Sequence, residues 1–428
     1  MCTTTNRTQT PSKEKLRQIV KPTVAGPPPG LFPPAFTLLD NNTEEDSILR
    51  QEFDVARAQN KFKNLPFALI DYTGSKPFYL GHNDKKQTFI ASMAKIGVLF
   101  AALWLRKTAR ENARKSKANT LDEVLNELAA KWLVEVKPFP DRFKKNVVPS
   151  KTWPPNLKNI FDGRKENNGE WKLDFKTDHN FKLPDRRDSL KSLEVFAEMS
   201  EKTAALKASK RSAINPLGFR DRLELMTSWS DNMAAASCVN ALGYQFINGC
   251  LEHAGLYNRN KTTGGGLWMS LNYDGGLDGI DFQQTTAQGG TAQVVANVMW
   301  LAATKKLIDQ EASEDWLMMT DKQTFTDQPN PIPSNSTTII GEKLFREEHL
   351  NIKKLNSKIG IYYETNTVNG QQVDSNFHYS DVANIIQNDI GLVKYVIAIC
   401  FSGTNDRPAR VLKDLAFELA TIIESEHI

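Results

Sequence analysis

Apolar and polar positions change period along the chain, and the changes mark out its elements. Phe67–Asp71 is a short apolar run of strand type, and Gly74 and Gly81 bracket a second at Pro77–Leu80. The two together predict a β-hairpin. From Ser92 onward the period becomes helical: Ile96, Leu99, Phe100, Leu103 and Trp104 fall on one face of a long apolar helix. Upstream, Thr43 followed by Glu44, Glu45 and Asp46 predicts a capped helix reaching Asn60. Further helices are predicted at Leu121–Val134, Ser189–Leu206, Phe219–Met226, Asn232–Asn240, Tyr244–Ala254 and Thr291–Thr304. Residues 355–363 and 392–401 are strand-like, and Asp406–Ser425 is a closing amphipathic helix. Strands near both ends with helices between them predict an α+β fold, in which one antiparallel sheet is built from both termini beside a helical lobe.

Composition narrows the function classes. The 428 residues are 40% hydrophobic and 24% charged, with 22 Phe, 8 Trp and 9 Tyr, so a folded core is expected. The longest apolar run, Ile96–Leu105, is half the length of about 20 residues that a membrane span needs. Cys2, Cys238, Cys250 and Cys400 form no CxxC pair and no disulfide framework, and no His stands at zinc spacing. Neither a metal nor another cofactor is expected. A net charge of +4 is too small to indicate nucleic acid. The stretch from Arg106 to Arg222 is nevertheless basic, with 27 Lys/Arg against 17 Asp/Glu. It reads as a solvated surface. Residues 1–36 are polar and Pro-rich, without the apolar segment of a secretory leader. As written the chain is expected in the cytoplasm; if its mature first residue is Cys2, a lipid-anchored or periplasmic protein is expected instead.

Three short motifs carry candidate chemistry. Ser92-Met93-Ala94-Lys95 sets a hydroxyl and an amine one helical turn apart. A serine needs a neighbouring base to become a nucleophile, and a buried lysine supplies one when it loses its proton. Ser230-Asp231-Asn232 precedes a predicted helix, and Lys358-Ile359-Gly360 lies in a predicted strand. Each alone has a plainer reading: an N-cap serine, a capping run, an edge-strand lysine. Ser12-Lys13-Glu14-Lys15 has the first spacing too, inside the tail.

In combination and in this order, the three resemble the S-x-x-K, S-D-N and K-T-G set of class A β-lactamases and penicillin-binding proteins. The likeness extends over Phe67–Leu103, Phe219–Leu256, Gln283–Gln288 with the helix after it, Ser357–Tyr363, Gly391–Gly403 and Asp406–Ile423. It implies a β-lactamase/transpeptidase-like catalytic domain at 37–428. Its sheet lobe would be 37–91 and 340–428, and its helical lobe 92–339, with an insertion at 106–216. By the same resemblance Ser92 is the acylated nucleophile and Lys95 its base, expected neutral among apolar neighbours and near Lys358. Ser230 passes a proton to the leaving group, and Lys358 supplies positive potential. Asn232 holds the substrate amide, Gly360 lets substrate backbone approach, and the N–H groups of Ser92 and Ile361 form the oxyanion hole.

The pattern departs at two points. Class A β-lactamases activate the deacylating water with the Glu of E-x-x-L-N. The nearest match is Trp268-Met269-Ser270-Leu271-Asn272, with Trp268 at the Glu position. Glu252, Asp274, Asp278 and Asp281 are the neighbouring carboxylates, none at the right spacing. Ile359 replaces the hydroxyl residue of K-T-G, removing a hydrogen bond to a substrate carboxylate worth about 1.5–3 kcal/mol. The resemblance thus implies a serine acyl hydrolase for an amide, ester or β-lactam, acting on a small-molecule or peptide substrate without the usual deacylating Glu. A peptidase-like transpeptidase and a catalytically idle peptide- or glycan-binding relative are the alternatives.

Overall fold

The computed structural model describes residues 33–41, 51–54, 62–131, 155–178, 217–228, 230–258, 265–269, 288–320, 352–368, 371–387, 392–403 and 408–427. Its first elements are β1 (Phe67–Asp71), β2 (Phe78–His82), β3 (Thr88–Phe89), α1 (Lys95–Ala113) and α2 (Leu121–Lys131). A single helical turn, α3 (Leu157–Ile160), precedes the hairpin β4 (Phe161–Lys165) and β5 (Trp171–Phe175). The helical middle continues with α4 (Phe219–Ser228), α5 (Asn232–Leu242) and α6 (Tyr244–His253). After it come β6 (Trp268–Met269), β7 (Gln288–Gly290), α7 (Ala292–Ala303) and α8 (Gln310–Thr320). The chain closes with β8 (Ile352–Val368), β9 (Gln371–Gln387), β10 (Val393–Gly403) and α9 (Pro408–His427).

The fold is α+β, with an antiparallel sheet built from both ends of the chain. Its order is β2-β1-β10-β9-β8, and β1 pairs with β10 from Phe67↔Ile399 to Asp71↔Tyr395. Two apolar layers cover this sheet. Ala68 and Ile70 face the core shared with α1 and α7, while Phe67 and Leu69 face the core under α9. Every residue of β1 is therefore buried, which explains a continuous apolar run where a half-exposed strand would alternate. Leu412, Leu415, Ala416, Leu419, Ala420 and Ile423 recur at helical spacing on α9 and form its side of the second core.

Helix α1 is buried over most of its length, and its two arginines are paired accordingly. Arg106 donates to Asp315 on α8, Arg110 to Glu311 at 2.7 Å and Asp174 at 2.6 Å, and Arg220 on α4 to Asp315 at 2.9 Å. These ion pairs fix the β4–β5 hairpin and α4 to the helix that carries Lys95.

The structure corrects three element assignments. The apolar helix after Ser92 does not end near residue 106: α1 runs on to Ala113, with Thr108, Ala109 and Ala113 buried. The region read as irregular contains the β4–β5 hairpin, whose alternation buries Trp171, Leu173 and Phe175 on one face. Strand β9 was not expected, and β8 extends well past residues 355–363. The tail at 1–32, most of the Thr43–Asn60 helix and the Ser189–Leu206 helix lie outside the described residues.

Candidate active site

Three elements converge beside the sheet. The first is the turn that follows β3. Residues Ala91–Ala94 form a 3-10 turn leading into α1, and Ala91 holds a left-handed φ of 46°. A non-glycine residue there stores strain of about 1–3 kcal/mol. No side chain caps this turn or α1, so Ser92 is not an N-cap residue. Ser92 is half-buried, and its hydroxyl has no hydrogen bond among the described residues. Lys95, one turn on, is 0% exposed.

The second element joins α4 to α5. Asp231 caps α5 by accepting from Ala234 N at 2.8 Å, so the S-D-N run does cap a helix. Capping uses only Asp231, which leaves Ser230 and Asn232 available. Ser230 is itself strained, at φ 57°. The C-terminal end of α8 holds this element and β8 together. Ser228 Oγ donates to Met319 O and Asn356 Nδ2 to Leu317 O, each at 2.8 Å.

The third element is Lys358 on β8, 1% exposed. Its Nζ donates to Ser230 Oγ at 2.7 Å and to Ile359 O at 3.1 Å. Lys95 Nζ donates to Ser230 O at 2.5 Å and Asn232 Oδ1 at 2.8 Å, and lies 3.3 Å from Ser230 Oγ. One hydroxyl thus stands between two buried amines. Burial pushes Lys358 down to about 7, against a smaller upward pull from Asp381. The oxygens of Ser230 and Asn232 thus surround the Lys95 amine on the side of the second element.

Gly360 was expected to admit substrate backbone, but the backbone that approaches it is the chain's own. A Cβ there would collide with Ile90 O and stand 2.7 Å from Met93 N. The glycine lets β8 close onto the Ser92 turn. Gly360→Ala is expected to push that turn away, costing about 1–3 kcal/mol as overpacking. A urea melt and a covalent-labelling rate on the same variant check this; unchanged stability and labelling would contradict it. Ile361, next to this contact on β8, pairs with Tyr379 of β9.

Trp268 does not line the site. It is 1% exposed in β6, its ring lies 5.6 Å from that of Tyr257, and a side chain at Gly289 would strike it. It offers substrate no surface, and a glutamate there would be a buried charge. Asp274, Asp278 and Asp281 lie outside the described residues, and Glu252 sits half-buried on α6. Thr291 caps α7, so that helix begins four residues after Gln288 opens the β7 strand. Residues 283–287 are outside the described set.

Among the described residues no three His, Cys, Asp or Glu side chains cluster as metal ligands, and no helix is long and apolar enough to cross a membrane. Burial pushes the Cys400 thiol up to about 12, away from reactivity at neutral pH. Ser228, Asn356 and Asp381 are site-associated residues that the sequence did not reveal. Asp381 and the partner of Asn356, Asn384, sit on the unexpected strand β9.

No protein-family model matches the chain, and no curated protein matches it. Solved structures do. The TLA-3 extended-spectrum β-lactamase is 12% identical at a TM-score of 0.47, over 88% of this chain and 98% of that one. A class A β-lactamase representative from Bacteroides cellulosilyticus DSM 14838 is 11% identical at 0.44, over 89% and 100%. The class A β-lactamase from Mycobacterium abscessus is 12% identical at 0.43, over 88% and 99%.

Proposed function

We propose that the protein is a serine acyl-transfer enzyme of the β-lactamase-like superfamily, forming an acyl-enzyme on Ser92 with an amide, ester or β-lactam. The supporting observation is the Ser230 hydroxyl held between Lys358 at 2.7 Å and Lys95 at 3.3 Å, beside the strained turn that presents Ser92. A hydroxyl has two lone pairs and one proton. When Lys358 is protonated, both lone pairs accept from amines and the proton points elsewhere, toward a leaving group over Ser92; when Lys358 is neutral, the hydroxyl donates to it.

In the reaction, Ser92 Oγ attacks the carbonyl carbon as its proton passes to Ser230 Oγ, whose own proton moves onto neutral Lys358. Lys358, down at about 7, is half neutral at physiological pH and reaches the site through Ser230. The C–N or C–O bond then breaks, and the departing atom takes the Ser230 proton, which an ammonium replaces. Water attack on the acyl group runs the same transfers in reverse. Because the neutral amine is the active form, acylation rises with pH through about 7.

An alkyl fluorophosphonate tests the reading. Intact-mass spectrometry should show one adduct, and peptide mapping should place it on Ser92; an unmodified protein, or an adduct elsewhere, would overturn it. With a chromogenic cephalosporin a burst followed by a slow steady state is expected, since Trp268 is buried and supplies no base. Fast, burst-free hydrolysis that is lost on replacing Glu252, Asp274, Asp278 or Asp281 would show that one of those carboxylates activates the water.

A further inference from the structure

One buried carboxylate takes no part in this chemistry. Asp381, on β9, is 0% exposed. It pairs with Ile359 on one side and Ile399 on the other, and paired residues share a face of the sheet. Ile399 belongs to the core under α9, and Ile359 packs against that core. Asp381 therefore sits in the apolar layer behind the sheet, where an ionised carboxylate is costly to hold. Lys358 is on the adjacent rung and faces the other way: it pairs with Val382, which belongs to the core shared with α1. Carboxylate and amine are neighbours across the thickness of one sheet.

We propose that Asp381, one rung from Lys358 on the opposite face of the same sheet, acts on that amine through the sheet and so is a positioning residue for the acyl transfer. The inference rests on the acyl-enzyme reading for its catalytic meaning. Its electrostatic content stands on two opposed influences on Lys358: burial lowers its pKa, and the Asp381 charge raises it. Among the described residues, the other charged groups packed near Lys358 lie on α1, β9, α8 and α9. Lys95, from α1, shares Ser230 and pushes in the opposite direction. His378, also on β9, stands edge-on to Phe89 at 5.3 Å. From α8, Asp315 is engaged by Arg106 and Arg220. On α9, Lys413, Asp414, Glu418 and Glu424 are half-buried behind the sheet, with Asp381. Such an arrangement tunes an amine toward neutrality without stripping it, and a proton-transfer group works best with its pKa near the working pH.

The test is a titration of the full chain carrying 13Cε-lysine, followed by NMR. The Lys358 signal is identified by its loss in Lys358→Met. In Asp381→Asn that signal should titrate about one pH unit lower than in wild type, and Asp381→Glu should restore it. The acylation–pH profile with p-nitrophenyl acetate should move in the same direction by the same amount. If Asp381→Asn is too unstable, Asp381→Ser removes the same charge and should give the same shift. An unmoved Lys358 signal in the variant that folds overturns the proposal. The acyl-enzyme reading fails by a different readout, the absence of any adduct on wild type.

Discussion

Ser92→Ala will take no label from a fluorophosphonate or a fluorescent penicillin, while melting with the wild-type protein. The kinetic half follows from the chemistry. The alanine has no atom that can form the acyl bond, and neither the Ser230 hydroxyl nor a buried amine replaces it. The stability half follows from the surroundings. The Ser92 hydroxyl has no hydrogen bond among the described residues and does not cap its turn, so truncation leaves no buried group unpaired. A half-exposed Ser→Ala change of that kind stays within about 0.5 kcal/mol. Loss of label together with a large fall in the melting midpoint would mean that the serine is structural. Label that persists would place the nucleophile elsewhere.

The legible part of this protein was its periodic part. The hairpin at 67–82, the helix after Ser92, the helices from Phe219 to His253 and the closing helix all carry apolar residues at a period that only one element type satisfies. The three motifs could be read because their residues are chemically unusual for buried positions, and the structure brings all three together around Ser230. Strand β9 escaped because it is polar. Gln371, Gln372, Asp374, Asn376, Ser380, Asp381 and Asn384 break any apolar alternation, and the pairing with β8 and β10 that satisfies its backbone is invisible along the chain. The Asn369-Gly370 pair was its one local sign, as a favoured two-residue hairpin turn. The β4–β5 hairpin escaped for a related reason: its apolar face is short, and an ion pair from Asp174 to Arg110 on α1 holds it in place. Trp268 could not be placed from the motif alone, because its burial comes from the pairing of β6 with β7, which leaves no mark on the sequence around it.

Ser230→Gly is expected to cut acylation by about 10²–10⁴-fold, the usual contribution of a positioned proton-transfer group, with little net loss of stability. Two terms act on stability in opposite directions. At φ 57° the serine backbone is strained, and glycine relieves about 1–2 kcal/mol of that. Losing the hydroxyl strips Lys358 of its 2.7 Å acceptor and leaves it Ile359 O, a cost of about 1–3 kcal/mol for a buried donor. Ser230→Ala separates the two effects, because it removes the same hydroxyl but keeps the strain. It should lose acylation equally and be less stable than Ser230→Gly by about 1 kcal/mol. Urea melts and stopped-flow acylation on the pair give both quantities. A glycine variant that acylates at the wild-type rate would remove Ser230 from the proton path. Equal stability of the two variants would show that the left-handed turn is not strained, and that the chain holds Ser230 there without cost to the fold.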